Sequence, residues 1–435
     1  MTTSATTRPG SSTFTPKQRK AIVAGSVGNA VEWVDWSVYS TFSAVFAGQF
    51  FAGDDGTSSL LKTLAVFAVG FVMRPVGSAV LGAYADRRGR KAGMTLTIAL
   101  MAGAAFVIAL TPNYESIGVA APVILLLARL VQGFSAGGEF GTSSAFLVES
   151  AARGRRGFAG SWQQVSVGSG VLVASLMGVV LTNTLSEEAL ASYGWRIAFA
   201  VGGVLGVVGL VLRRAVEETD AFSEGQDRTA AAGRPNPLTD MLVTHRSAAL
   251  RVAGITIAGT LTYYIWVSYM PGFAHANAAV TLSEAFLANT IAVAVFLVLL
   301  PFGGMLSDRV GRRPTLLAFA LGFLVIAWPA FHLLQGGGFT SLLVVELVGV
   351  FFLVGYSANC AVVMAEQFPA AVRTTGIGLP YAISVALFGG TAPYITTWMA
   401  GNGHGDLIWL YVAIAALVGV AVYATMPETK DREID

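Results

Sequence analysis

"GAYADRRGRK" (residues 82–91) closes one apolar run, and "GMLSDRVGRR" (residues 304–313) closes another. Gly82, Asp86, Arg87, Gly89 and Arg90 recur 222 residues later as Gly304, Asp308, Arg309, Gly311 and Arg312. A second correspondence follows each: Glu149 stands seven residues before Arg156, and Glu366 seven before Arg373. A glycine at a membrane edge lets two helices approach closely. An aspartate there can pair with arginine or cap a neighbouring helix N-terminus. An arginine cluster holds the loop at an anionic surface. The positive-inside rule would explain the cations of one such loop, but not the same spacing twice. The chain therefore reads as a duplicated unit with repeated gating loops.

That unit belongs in a bilayer. Of 435 residues, 54% are hydrophobic and 12% charged, against roughly 25% charged in a soluble domain. The mean hydropathy is +0.65. Twelve apolar spans are expected, near 21–51, 59–84, 92–111, 118–149, 157–182 and 195–213, then 249–274, 284–306, 314–334, 340–364, 374–400 and 406–426. Each is long enough to cross a hydrocarbon core of about 30 Å. The expected fold is an all-α polytopic membrane protein, with twelve transmembrane helices in two six-helix bundles related by pseudo-two-fold symmetry. The expected divisions are a tail (1–20), a first bundle (21–213), a linker (214–248), a second bundle (249–426) and a tail (427–435). The run after the polar N-terminus is too long for a secretory leader, so no cleaved one is expected.

With the N-terminus inside, cytoplasmic segments hold 23 of the 27 lysines and arginines. Both termini are therefore expected on the cytoplasmic side of the inner membrane. Lys62 and Arg196 sit at the outer ends of spans, while Arg74 and Arg129 lie inside them. The net charge of +2 gives no reason to expect nucleic acid. The single cysteine, Cys360, excludes a disulfide framework and a thiolate metal cluster. No nucleophile–base set, phosphate loop or metal-ligand spacing is present, so neither an enzyme nor a metal protein is expected.

The chemistry concentrates in "GNAVEWVDWSVY" (residues 28–39). At 100° per residue, Asn29, Glu32, Asp35, Trp36 and Tyr39 share one face, with Val27, Val31, Val34 and Val38 opposite and facing lipid. Glu32 falls about 17 Å along the span, close to mid-membrane. An ionisable residue there is a functional candidate. Either Glu32 or Asp35 could carry a proton, and the one already paired is the poorer candidate. Arg74 lies about 18 Å deep. A buried guanidinium needs an anionic partner or an anionic substrate. Arg129 is the repeat counterpart of Glu346, which suggests a contact between halves; pairing with Glu32 or Asp35 is the alternative. Glu139 in "SAGGEFG" is a proton carrier or an interhelical hydrogen bonder. Gln163, Gln164 and Tyr263 are candidates to line a cavity. His332, near the end of a span, reads as belt or packing.

These stretches, with "RPVGSAVLGAYADRRGRK", "RLVQGFSAGGEFG", "RRGFAGSWQQVSVGSG" and "EQFPAAVRTTGIGLPYAISVALFGGTAPY", resemble the major facilitator superfamily. Within it they are most similar to the metabolite:proton symporter branch. Val34 stands where that branch has Tyr, and Trp36 where it has Phe. The resemblance implies a monomeric secondary transporter with a proton as coupling ion and no other cofactor. It implies uptake of a small carboxylate such as α-ketoglutarate or citrate. The alternative is an osmolyte such as proline or glycine betaine, with an aromatic cage built from Trp33, Trp36, Tyr39 and the 263–269 cluster. The short stretch 427–435 weighs against the osmosensing form, which is expected to carry a coiled-coil tail. A proton-linked exporter is less favoured, because its cavity would not explain two buried arginines.

Overall fold

The computed structural model describes residues 16–51, 55–88, 90–137, 139–149, 151, 154–214 and 237–432. Twelve long helical spans lie among them. In the first half these are α1 (Pro16–Phe50), α2 (Gly56–Arg88), α3 (Arg90–Leu110), α4 (Ala120–Glu149), α5 (Arg156–Thr184) and α6 (Glu187–Val211). In the second they are α7 (Arg246–Asn277), α8 (Leu282–Val310), α9 (Arg312–Leu334), α10 (Phe339–Ala365), α11 (Arg373–Gly401) and α12 (Gly405–Thr425). No strand occurs among the described residues. Most of 214–248 lies outside them, but Pro237–Val243 forms a short helix and α7 begins at Arg246, earlier than the hydropathy suggests.

The core is where the two halves meet. α5 and α8 pack along most of their length, joining the halves. A Cβ on Gly304 would stand 2.4 Å from the Gly157 carbonyl oxygen, and one on Gly157 2.6 Å from the Gly304 oxygen. Only glycine permits that crossing. Gly311, at φ 110°, turns the chain from α8 into α9, a conformation that β-carbons disfavour.

Contacts between the halves close both ends of the bundle. At the end where α2, α4, α8 and α10 finish, Gly157 N and Phe158 N donate to the two Asp308 oxygens at 2.8 and 2.9 Å. Arg373 Nη1 there meets Glu149 Oε1 at 2.5 Å, and Phe140 stacks on Tyr381 with centroids 3.7 Å apart. At the opposite end Asn183 Nδ2 donates to Ser283 Oγ at 2.8 Å, and Ser40 Oγ to the Ser268 carbonyl at 3.1 Å. The halves thus touch on both sides of the centre.

One helical face differs from the sequence reading. Val34 and Val38, expected against lipid, are 3% and 0% exposed. The reason is topological: α1 packs against α2, α5 and α6 at once. At their level α1 has neighbours on those sides, so Val34 and Val38 fill the bundle, while Val31 is only half-buried.

Candidate functional site

Arg129 of α4 is completely buried. Its Nη1 lies 3.9 Å from Asp35 Oδ2, within ion-pair range but beyond a hydrogen bond. The same nitrogen donates to Gln132 Oε1 at 2.7 Å. Its Cζ sits 4.1 Å from the Trp36 ring centre and 4.2 Å from that of Tyr39. Arg74 of α2 approaches the same indole, with Cζ at 4.4 Å, and lies 4.4 Å from Phe71. Trp36 therefore carries two guanidinium groups from two different helices. Tyr39 is fixed by its hydroxyl, which donates to the Thr63 carbonyl at 2.9 Å.

The second half supplies the facing wall. Tyr264 meets Phe71 edge to face at 5.4 Å and lies within electrostatic reach of Arg74, Arg129 and Glu32. Tyr263 stacks edge-on to Tyr264 at 5.8 Å. Residues 264–269 form a π-helical turn, a deviation that recurs at functional sites. Gln164 Nε2 of α5 crosses to Cys360 Sγ at 3.1 Å.

The buried groups around this centre lean strongly to donors. Trp36 Nε1, Nε and Nη2 of Arg74 and of Arg129, Gln132 Nε2, Gln163 Nε2 and the Tyr263 and Tyr264 hydroxyls make no hydrogen bond of good geometry, against three acceptor atoms in the same state, the two Asp35 oxygens and Gln164 Oε1. Burying that many donors is costly unless an acceptor-rich ligand meets them.

Each expected residue can now be placed. Asp35, Trp36, Tyr39, Arg74, Arg129, Gln163, Gln164 and Tyr263 are all buried around the centre. Asn29 is tied to α5 through Ser166 Oγ at 2.6 Å. Glu32 faces a side crevice with Asp35. Arg129 does not reach Glu346, because the part of α10 that carries Glu346, Phe339–Ser357, packs against α8 and α9 of its own half; Glu346 is fully buried and neither oxygen is hydrogen-bonded. The side chains of Glu139, Asp86, Arg87 and Arg90, and all of Gly89, lie outside the described residues, and Gly82 is described only as α2 backbone. His332 stacks on Trp328 at 5.1 Å at the end of α9.

The repeated loop of the second half forms a network. Arg312 Nη1 contacts Asp308 Oδ1 at 2.8 Å and Nη2 contacts Glu366 Oε1 at 3.1 Å. The segment after α12, which sequence reasoning passed over, joins it. Glu428 accepts from the Arg312 and Arg313 amides at 2.9 and 3.0 Å, capping α9, and Thr429 Oγ1 donates to Glu366 at 2.6 Å. Lys430 Nζ donates to the Arg309 carbonyl at 2.7 Å, and Arg156 Nη1 to the Arg432 carbonyl at 2.7 Å. An acid shortly before the expected N-terminus of a helix is a recognisable cap; one arriving from 116 residues away is not.

Two six-helix halves closed around buried ionisable groups define a multi-pass membrane transporter, not an enzyme. The chain belongs to the sugar (and other) transporter family, whose model matches residues 20–435. It is 41% identical over 406 residues to the alpha-ketoglutarate permease of Escherichia coli K12, covering 92% of each chain. It is 35% identical to a citrate-proton symporter of Salmonella typhi, covering 93% of each. To a proline/betaine transporter of Salmonella typhimurium it is 32% identical, covering 96% of this chain and 85% of the other. The structure of the proton:xylose symporter XylE bound to 6-bromo-6-deoxy-D-glucose superposes with a TM-score of 0.74 at 18% identity, over 95% of this chain and 96% of that one. A partially occluded inward-open form of XylE from E. coli gives 0.71, also at 18%, over 95% and 98%. These two establish the twelve-helix major facilitator fold.

Proposed function

We propose that this chain takes up a small carboxylate together with a proton by alternating access. The carrying observation is the pair of guanidinium groups on Trp36, surrounded by donors that lack acceptors. A carboxylate supplies acceptors in the planar geometry that arginine matches. Two arginines suit two carboxylates, as in α-ketoglutarate or citrate. The relatives named alpha-ketoglutarate permease and citrate-proton symporter support this choice.

Asp35 is the proton carrier. While ionised, it balances Arg129 across 3.9 Å. Once protonated, it leaves the Arg129 charge to the substrate anion. Proton and anion then bind as one neutralised set, which is the logic of symport. Trp36 and Tyr39 hold the Arg129 fork, and Gln163, Gln164 and Tyr263 complete the substrate wall.

The units 21–213 and 249–426 move against each other. Both termini lie in the cytoplasm, so the contacts of Glu149, Gly157, Asp308, Arg312, Glu366 and Arg373 form the inner gate. The unit works as a monomer in the inner membrane.

The osmolyte reading, supported by the proline/betaine relatives, fits less well. A quaternary ammonium needs an open aromatic face, and Trp36 already holds the protein's own cations. The test is uptake of labelled α-ketoglutarate, citrate, proline and betaine by proteoliposomes. An inward proton gradient should drive carboxylate accumulation and a protonophore abolish it. Sodium-driven uptake that ignores the protonophore would refute the proposal.

A further inference from the structure

Tyr264 brings a fixed ring and an unpaired hydroxyl to the two arginines. Its ring meets Phe71 of α2 edge to face at 5.4 Å and Tyr263 at 5.8 Å. Against it lies bare backbone. A Cβ on Gly389, the last residue of the π-helical turn Val385–Gly389 in α11, would stand 2.7 Å from Tyr264 Cδ2. One on the next residue, Gly390, would stand 2.7 Å from Phe71 Cδ2. Two adjacent glycines thus seat one ring from each half. Phe71 in turn lies 4.5 Å from the Trp36 ring and 4.4 Å from Arg74 Cζ. The Tyr264 hydroxyl is buried within electrostatic reach of Arg74 and Arg129, yet it makes no hydrogen bond of good geometry. Its neighbour Tyr263 lies instead near Phe296 of α8 and Cys360 of α10.

We infer that Tyr264 selects an uncharged oxygen of the substrate: its hydroxyl donates to a 2-oxo or hydroxyl group while Arg74 and Arg129 take the carboxylates. The inference rests on the proposed uptake of a small carboxylate and narrows its class to dicarboxylates that carry a neutral acceptor. Three observations carry it. First, charge is divided unequally between the halves. Both guanidinium groups at the centre come from α2 and α4. In the second half, among the described residues, every lysine and arginine lies near a helix end. Arg251 reaches furthest into a span, five residues along α7, and Tyr264 stands thirteen residues beyond it, about 20 Å of helix. What the second half offers the substrate is therefore a neutral donor and no cation. Second, a guanidinium only donates. A neutral phenol beside it presents its oxygen lone pairs to the cation and turns its hydrogen elsewhere, toward an acceptor. Third, the ring is held by Phe71, Tyr263 and Gly389, so the hydroxyl cannot swing out to water. Burying it without an acceptor is costly, and a ligand oxygen that meets it orders nothing further. A dicarboxylate lacking that oxygen leaves the hydroxyl unpaired, which is the cost that discriminates between the two.

The test compares α-ketoglutarate with glutarate, which has the same two carboxylates and a methylene in place of the 2-oxo group. Proteoliposomes holding the full chain are driven by an inward proton gradient, and KM is measured for each labelled dicarboxylate. The wild type should favour α-ketoglutarate about tenfold. Tyr264→Phe keeps the ring and its contacts. It should raise the KM for α-ketoglutarate about tenfold, change that for glutarate less than about twofold, and so erase the preference. Equal KM values in the wild type overturn the inference whether or not the variant folds. A preference retained by Tyr264→Phe overturns it as well. So does an equal rise for both substrates, which would give the hydroxyl a part in holding the site rather than in reading the substrate. Proton-driven uptake of neither dicarboxylate by the wild type would instead refute the carboxylate reading, and the inference with it.

Discussion

Asp35 and Arg129 form an ion pair at 3.9 Å that is close enough for charge balance and too long for a hydrogen bond. A pair held at that distance can open without first breaking a directional bond. Asp35→Asn keeps the volume and removes the titration. It should abolish accumulation in proteoliposomes and leave counterflow near the wild-type rate. Accumulation at the wild-type level would refute the coupling role.

Trp36 is the surface on which both arginines rest. Each cation–π contact contributes about 0.5–2 kcal/mol. Trp36→Ala loses both contacts, so apparent affinity for α-ketoglutarate should fall about tenfold or more. Trp36→Phe should recover part of it. An unchanged KM in the alanine variant would separate Trp36 from binding.

Asp308 accepts from two amides of the other half and from Arg312. Asp308→Asn removes charge-assisted bonds of roughly 1–3 kcal/mol at that end. The closed inner gate should become less populated. Spin labels at the exposed positions 155 and 313, in a Cys360→Ser background, should report a longer distance in the variant. An unchanged distribution would mean that these bonds do not set the gate.

Glu428 titrates outside the membrane. Burial alone would raise it, but the backbone amides of Arg312, Arg313, Lys430 and Thr429 together hold it below its ordinary 4.5. A carboxylate lowered on folding adds stability that is complete above its unfolded value and is lost as pH falls through the folded one. The C-terminal contact should therefore loosen as the pH drops below about 4.5. Glu428→Gln should flatten that part of the Tm-against-pH curve. Glu366, which burial pushes up against the pull of Arg312, contributes equally to both proteins and cancels in the difference. Parallel curves for the two proteins would contradict the assignment.

Much of this molecule was written in one dimension. Period and length place twelve spans, because a bilayer demands a continuous apolar run for each crossing. The doubled Gly–Asp–Arg–Gly–Arg motif announces two equivalent halves, and a mid-span Asp35, Arg74 or Arg129 announces a site, because such residues are expensive anywhere else. What the sequence could not say is which neighbour each side chain meets. The helical wheel assigned Val34 and Val38 to lipid, since it cannot know that α1 is covered there by α2, α5 and α6. The repeat offset matched Arg129 with Glu346, since equivalence by symmetry is not proximity. Glu149 pairs with Arg373, Asp308 caps the start of α5, and Glu428 caps α9, all across large sequence separations. Composition and spacing determined that charges must be buried and roughly how deep. Only the packing of twelve helices decided their partners, because a pairing energy depends on distances of a few ångströms that no local pattern encodes.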